Sequence, residues 1–330
     1  MHYLCMSNVT EAALRWERAT HVTRRQHGLI TTQQLNAAGF ANTAIHLLVK
    51  RGRLRRVHRG VFEIAGQAPS FDRLTLAAVL ASGDGAMICA ASAIHLHDLP
   101  GLVSQDGIHV LRSWHAKGRH VGVRVHRSRL IVPADRATKR GIAVVSVSRA
   151  IVDVSGHPAV DDRMLEWMVD VARRRGLSLD ALDACAARLG PGPGRRPGRV
   201  RSLVERRQGT NPAESPPELW VAQVLEDAGY GRPQLAIPVV TPGGQHYRID
   251  GGYLDCLSGF EYQSWQEHGN GMWLPFHADP ERAGRLKMMG WDLTSITSET
   301  SAATIVAVIG AVVERRRRAI TRGLSPIDSV

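Results

Sequence analysis

Nine consecutive residues past the middle of the chain, 190–198, read GPGPGRRPG, and seven of them are glycine or proline. Proline lacks a backbone N–H donor and glycine favours irregular backbone, so neither a helix nor a strand can continue through this segment. Its two arginines favour contact with solvent. We therefore predict a flexible joint here, within a linker over residues 190–210, that divides the 330-residue chain into separate domains.

Residues 1–65 form the first predicted domain. Apolar residues recur at helical spacing in three stretches before residue 50, which indicates three short helices. Thr31 is followed three residues later by Gln, the spacing of a helix capping box, and Asn42 is expected to cap the third helix. Two short apolar runs within residues 54–64 then predict a β-hairpin. This order is that of a winged helix-turn-helix.

Positive charge is concentrated in this first domain. The formal net charge of the chain is +12, and residues 21–60 contain eight Lys or Arg and no Asp or Glu. Such a cluster attracts polyanions, and a recognition helix presents short polar side chains to base edges while neighbouring bases contact phosphates. The alternative is a solvated basic face on an ordinary helical domain. We predict contacts with double-stranded DNA from Asn42, Thr43, His46, Lys50, Arg51, Arg53, Arg55, Arg56 and Arg59.

Residues 66–189 form a second predicted domain, a middle α+β region. Two alternating patterns within it indicate short strands. Its helical patterns cover residues 72–81, 90–97 and 162–174.

Residues 211–330 are predicted to fold as an α/β domain with a helix, three strands, a helix, a strand and a final helix. Asp250 and Glu261 lie on adjacent predicted strands, and Glu218 lies in the preceding helix. Such carboxylates can hold Mg²⁺, with His268 as the base for phosphodiester hydrolysis. Three alternatives stay open: Glu218 caps its helix at a Ser-x-x-Glu spacing, Asp250 forms a turn before two glycines, and His268 is an ordinary loop residue.

The N-terminal half of the chain resembles a known family. The stretch from GLITTQQL to RGRLRRVHRGVF is similar to the winged-helix domain of AbiEi-type antitoxins and regulators, which are common in actinobacteria, over residues 15–65. The stretches ASAIHLHDLPG and GIAVVSVSRAIVD resemble the segment that follows this winged helix in the same proteins. The resemblance implies autoregulatory DNA binding. A toxin protein stays open as a partner, since many such chains stand alone.

Residues 213–298 resemble the PD-(D/E)xK nuclease superfamily, and within it the DUF559 group related to very-short-patch-repair endonucleases. Glu218, Asp250, Glu261 and His268 match that group, as does the run ERAGRLKMMGWDL. The resemblance implies a restriction-endonuclease-like fold and Mg²⁺-dependent DNA cleavage. Gln263 occupies the catalytic position where the superfamily has Lys and the DUF559 group has Asp. Because Gln brings no positive charge to the phosphate, we expect a low rate.

The composition narrows the remaining classes of protein to which the chain can belong. The four cysteines are far apart and form no C-x-x-C pair, which excludes a disulfide framework or a zinc ribbon. No stretch approaches about eighteen uncharged apolar residues, so we expect a soluble cytoplasmic protein without a membrane segment. The expected fold class is α/β multidomain. The expected function is sequence-dependent DNA binding with a nuclease-like domain; the alternatives are a non-catalytic regulator or antitoxin and a basic interaction scaffold.

Overall fold

The chain folds into two compact units in the computed structural model. The first unit comprises Met1–Asp161 and Asp180–Ser202, and the second comprises Asp162–Leu179 and Leu203–Val330. Described are residues 2–66, 68–102, 107–116, 118, 120–213, 215–262, 265–268, 272–275 and 280–323, with the backbone alone for 2–10, 265–268, 272–275 and 280. Within these residues, no helix is both long and apolar enough to cross a bilayer. The predicted α/β multidomain class is confirmed.

The first unit begins with a winged helix-turn-helix. Its elements are α1 (His2–Arg25), β1 (Leu29–Thr31), α2 (Thr32–Ala37), α3 (Asn42–Lys50), β2 (Leu54–His58) and β3 (Val61–Ile64). Strand β3 pairs antiparallel with β2, as the predicted hairpin requires, and also with β1, which the sequence did not predict. Leu35, Ile45 and Phe62 are buried in the shared core of the helices and this sheet.

A second sheet follows in the same unit. The elements are α4 (Phe71–Ser82), β4 (Met87–Ile88), α5 (Ala90–Leu96), β5 (Ile108–Ser113), β6 (Val123–Ser128), β7 (Arg136–Lys139), β8 (Ile142–Val145), α6 (Val147–Val154), α7 (Asp162–Arg174), α8 (Leu179–Leu189) and α9 (Pro197–Arg207). The five strands are ordered β6-β5-β4-β8-β7, with β5 and β6 parallel at one edge. Of these helices, α7 belongs to the second unit and α8 almost entirely to the first, while α9 passes from the first unit into the second at residues 202–203.

The second unit contains a four-stranded mixed sheet. Its remaining elements are α10 (Pro216–Asp227), β9 (Gln234–Val240), β10 (His246–Tyr253), β11 (Ser258–Tyr262), β12 (Trp265–His268), β13 (Met272–Pro275), α11 (Pro280–Met288), β14 (Asp292–Ile296) and α12 (Ala302–Thr321). The strand order is β14-β11-β10-β9, and only the pair β11 and β14 is parallel. The predicted order of elements is confirmed, with the hairpin β12–β13 added between the third strand and the next helix.

The glycine- and proline-rich segment 190–198 is part of the first unit. Gly156 donates its N–H to the carbonyl of Gly194 at 2.8 Å, and Arg196 donates its N–H to Ser155 Oγ at 2.8 Å. Residues 190–196 are irregular, as predicted, whereas Pro197 and Gly198 already belong to α9. The two hydrogen bonds attach the segment to the end of α6. The two units therefore differ in extent from the predicted domains, because the chain passes between units at residues 161–162, 179–180 and 202–203.

Candidate nucleic-acid interface

Helices α2 and α3 form the helix-turn-helix. The Thr31 hydroxyl accepts the Gln34 N–H at 3.2 Å, and the Thr31 N–H donates to the Gln34 side-chain oxygen at 2.9 Å, which confirms the predicted capping box. The prediction that Asn42 caps α3 is wrong, because the cap position is Ala41 and no side chain bonds there. Asn42 is instead the first residue of α3, and its side chain is exposed.

Helix α3 has one buried face and one exposed face. Ile45, Leu48 and Val49 pack into the core beneath the helix and fix its rotation about its own axis. Exposed on α3 are Asn42, Thr43, His46, Leu47 and Lys50. Residues three and four positions apart share a side of a helix, so these side chains form one continuous face. The three side chains predicted to read bases therefore lie together.

The hairpin β2–β3 forms the wing beside α3. Its turn contains Arg59, which is exposed, and Gly60. The φ of Gly60 is 75°, in the left-handed region that glycine adopts without strain. The Gly60 carbonyl accepts the Thr32 N–H at 2.9 Å. This bond holds the tip of the wing beside the start of α2, so Arg59 has a fixed position relative to the helix-turn-helix.

Four of the predicted DNA-binding residues form what we call the basic surface: Lys50, Arg51, Arg53 and Arg59. All four are exposed, and none of them forms an ion pair or a side-chain hydrogen bond with the described part of the chain. A cation without a neighbouring carboxylate keeps its full attraction for an external anion. The basic surface therefore presents positive charge from the end of α3 to the tip of the wing.

Arg55 and Arg56 differ from the basic surface. Arg55 Nε donates to Glu63 Oε1 at 2.6 Å across the hairpin, and the Glu63 side chain is only 5% exposed. Arg56 has its guanidinium 5.6 Å from the centre of the Phe62 ring. The charge of Arg55 is thus compensated within the wing. Sequence reasoning missed this partner because Glu63 lies three residues beyond the acid-free stretch.

A histidine pair joins the wing to the second sheet of the same unit. The rings of His58, on β2, and His120 lie 5.9 Å apart in an edge-to-face arrangement. Burial lowers the pKa of His58, and the nearby His120 lowers it further. Burial also lowers the pKa of His120, with Arg112 as a second cause. Both imidazoles are therefore neutral at neutral pH and add no positive charge beside the basic surface.

Glu218 lies in the first turn of α10, where the sequence placed it. Ser215 caps this helix: its hydroxyl donates to Glu218 Oε1 at 2.9 Å and accepts the Glu218 N–H at 3.4 Å. The Glu218 residue is 5% exposed. These bonds support the interpretation of Glu218 as part of the helix cap.

Asp250 and Glu261 lie on the neighbouring strands β10 and β11. Asp250 accepts the Tyr262 N–H at 2.8 Å and forms an ion pair with Arg248 at 3.3 Å. Glu261 forms an ion pair with Arg282 at 2.7 Å. Burial raises the pKa of Glu261; the hydrogen bond from Arg282 opposes that shift, and the charge of Asp250 adds to it. The two carboxylates thus interact, but each already has an arginine partner.

The described residues alone do not form a magnesium site. Among them, no group of three or more His, Cys, Asp or Glu is placed to hold a metal ion. Gln263 lies outside the described residues, and so does the side chain of His268, whose backbone is in β12. The arginine partners of Asp250 and Glu261 occupy oxygens that a cation would need. The magnesium site therefore stays a prediction.

Comparison with known proteins gives a family match for the N-terminal residues. No curated protein matches the chain at a significant level. Among solved structures, the RV2827C protein from Mycobacterium tuberculosis is 18% identical with a TM-score of 0.31, over 58% of this chain and 80% of that chain, which is too low to establish a shared fold. Residues 17–65, which end in the wing, match the model of a family described as "Transcriptional regulator, AbiEi antitoxin".

Proposed function

We propose that this protein is a DNA-binding transcriptional regulator or antitoxin that binds double-stranded DNA with its winged helix. One observation carries the proposal: the exposed polar face of α3 adjoins the basic surface, within residues similar to AbiEi antitoxin regulators. A recognition helix needs both features, because phosphate contacts position it and base contacts give it specificity. A role on DNA places the protein in the cytoplasm.

The two sets of residues have different roles in this proposal. Asn42, Thr43 and His46 enter the major groove, where an amide can pair with adenine and a hydroxyl can donate or accept. The basic surface contacts phosphates on both sides of that groove, from the end of α3 and from the wing. The buried residues Ile45 and Leu48 fix the side of α3 that faces the DNA.

The test is selection of the full chain on a library of random duplexes, followed by sequencing of the bound fraction. We expect an enriched motif, and we expect Thr43→Ala to change the motif at one or two positions. Leu74→Ala is the matched control, since Leu74 is exposed in the same unit but lies outside the winged helix. An unenriched library would overturn sequence-dependent binding. A motif unchanged in Thr43→Ala would remove α3 as the reader.

The description of the matched family as an antitoxin also motivates a protein partner, a toxin. Co-expression of the chain with the protein encoded beside it, followed by gel filtration, tests this partner. Co-elution in a stoichiometric complex would support the antitoxin role. Separate elution would leave a regulator that acts on its own.

A second candidate function, metal-dependent DNA cleavage by the second unit, is favoured by the interaction between Asp250 and Glu261 on adjacent strands. Supercoiled plasmid and Mg²⁺ or Mn²⁺ test it, with Asp250→Asn beside the native protein. Asp227→Asn is the control, because Asp227 is exposed in the same unit and forms no ion pair with a described residue. Cleavage lost only in Asp250→Asn would support a nuclease. No cleavage by the native protein would favour the non-catalytic regulator.

A further inference from the structure

We propose that the first unit contains a second binding site, a pocket for a small organic phosphate. A cavity of about 470 Å³ opens on one face of the five-stranded sheet, within the range of small-ligand sites. It is bounded by β5, β6, the end of α6 and residues 193–195. Its lining residues all fall between positions 89 and 195, outside the winged helix. The site therefore shares no residue with the DNA interface.

Strands β5 and β6 supply the floor of the pocket. In their parallel pairing, His109 lies beside Arg124 and Leu111 lies beside His126. Alternate residues of a strand share one face, so these four side chains belong to the same side of the sheet. His126 Nε2 lies 3.2 Å from His109 Nδ1, which fixes the two rings relative to each other. The floor thus combines polar groups with an apolar side chain.

The opposite wall is formed by residues 193–195 and is fixed by close backbone packing. A Cβ atom on Gly156 would lie 3.0 Å from Arg196 Cγ and 3.1 Å from both Arg195 N and Gly194 C, so this close approach favours glycine. On another side of the cavity, Ala90 has a φ of 46°, a left-handed conformation that is costly for alanine. A strained residue beside a wall held by hydrogen bonds indicates a pocket that is formed before a ligand binds.

The lining carries four arginines and one carboxylate. That carboxylate, Asp153, accepts two hydrogen bonds from Arg149 Nε at 3.2 and 3.1 Å and lies 3.8 Å from Arg195. Arg124 and Arg127 are exposed and contribute further positive charge at the edge of the cavity, and Arg127 Nε also donates to the Ala116 carbonyl at 3.1 Å. Arg149 also pairs with Asp135 at 3.2 Å, so the excess positive charge of the lining lies mainly at its edge, on Arg124 and Arg127. This edge is suited to an anion.

The chemistry of the lining indicates the class of ligand. Guanidinium groups bind phosphoryl oxygens in paired, charge-assisted hydrogen bonds. Ser128 and His157 add polar groups, while Leu111 and Pro158 offer apolar surface to the rest of the molecule. A sugar phosphate or nucleoside phosphate of moderate size has both an anionic group for the arginines and a less polar remainder for the apolar surface. A nucleoside monophosphate is therefore a suitable probe.

The experiment is calorimetric titration of the full chain with AMP, ribose 5-phosphate and adenosine. We expect the two phosphates to bind and adenosine not to bind. In the double variant Arg124→Gln/Arg127→Gln, the affinity for AMP should fall at least about tenfold, because charge-assisted hydrogen bonds to the phosphoryl group are removed. The matched control is Arg129→Gln/Arg163→Gln, which removes the same charge at exposed positions outside the lining and should bind AMP like the native protein.

Three results would each overturn the proposal that this pocket binds a phosphate. The first is that neither phosphate binds at millimolar concentration. The others are that adenosine and AMP bind with equal affinity, or that the control variant loses as much affinity for AMP as the double variant. A short DNA duplex provides a further arm. Displacement of AMP by the duplex would assign these arginines to the DNA surface, whereas simultaneous binding of both supports a separate site. Thermal melting of each variant confirms that it is folded before its affinity is interpreted.

Discussion

Two arginine-rich segments of the molecule look alike in sequence and differ in how the fold uses their charge. Residues 50–59 contain six Lys or Arg, and residues 315–318 are four consecutive arginines. The four residues of the basic surface have no acidic partner in the part of the chain that the structure describes. The C-terminal arginines all have partners: Arg315 pairs with Asp292, Arg316 with three carbonyls, Arg317 with Asp255 and Arg318 with Glu314.

The difference follows from where each segment lies. Helix α12 buries Ile305, Ile309 and Val313 on one face, and Arg316, three residues further, continues that face into the interior. The basic surface instead occupies a helix end and the hairpin that follows it, where the acidic residue of the hairpin, Glu63, pairs with Arg55 and not with these four side chains. The density of basic residues in a sequence therefore does not tell which charges are available to DNA. Their partners in the fold decide it.

The largest effect is expected from Arg316→Ala, measured as the free energy of unfolding in urea. Arg316 is 1% exposed and donates to the carbonyls of Cys256, Leu257 and Gly290 at 3.1, 3.2 and 2.7 Å. Its removal takes a donor from each of these carbonyls inside the unit, and the Leu257 carbonyl keeps the Asp292 N–H at 2.9 Å. We therefore expect a loss of about 3 to 5 kcal/mol. Arg318→Ala, at a side chain that is 72% exposed, should cost at most about 0.5 kcal/mol. Equal losses of unfolding free energy in Arg316→Ala and Arg318→Ala would refute the proposed difference between buried and exposed arginines in residues 315–318.

A smaller effect, and a gain, is expected from Glu63→Gln. This change removes the carboxylate that compensates Arg55 and should add one cation to the DNA-facing surface. DNA affinity should rise severalfold, and its dependence on salt should steepen by about 0.9 in the log–log slope. Glu11→Gln, in an exposed pair with Arg15 on α1, changes the net charge equally and serves as the control. The same gain in both variants would mean that only net charge matters.

The smallest effect concerns pH and the pair of His58 and His120. Both pKa values are lowered from 6.5 in the folded protein, chiefly by burial, so the unfolded chain takes up protons first. The contribution of the neutral pair to the free energy of unfolding is therefore fully present above about pH 6.5 and is lost as the pH falls below it. The free energy of unfolding should fall between about pH 7.5 and about pH 5.5 in both proteins, and this fall should be smaller for His58→Gln than for the native protein. Other histidines, such as His97, act equally in both proteins. An unchanged difference would remove this pair as a pH-sensitive contact.

Local signals in the sequence were sufficient for much of the fold. The capping box at Thr31 depends on residues three apart, and the order of elements in the second unit follows from runs of apolar residues with turns between them. The exposed face of α3 follows from helical spacing alone. Asn42 was misplaced by one position because a polar residue at a helix start fits either the cap or the first turn.

Features that depend on distant residues could not be predicted in this way. Arg55 pairs with Glu63 only through the register of the hairpin. The pocket requires β5, β6, α6 and the segment 193–195 to meet, although they are far apart in the chain. The composition of residues 190–198 correctly excluded helix and strand up to residue 196, but α9 begins at Pro197, a favourable residue for the first turn of a helix. The packing against Ser155 and Gly156 is a tertiary contact that no local pattern shows.

The central claim is that the basic surface contacts DNA phosphates while the C-terminal arginines do not. The most direct test is the salt dependence of duplex affinity for the native full chain and for a variant with Lys50, Arg51, Arg53 and Arg59 changed to Gln. We predict that this variant has a shallower slope of log affinity against log salt, by about 0.9 for each phosphate that the variant no longer neutralises. Arg315→Gln/Arg318→Gln should keep the native slope. Equal slopes for the native protein and the fourfold variant, or an equal reduction in the Arg315→Gln/Arg318→Gln protein, would contradict the account.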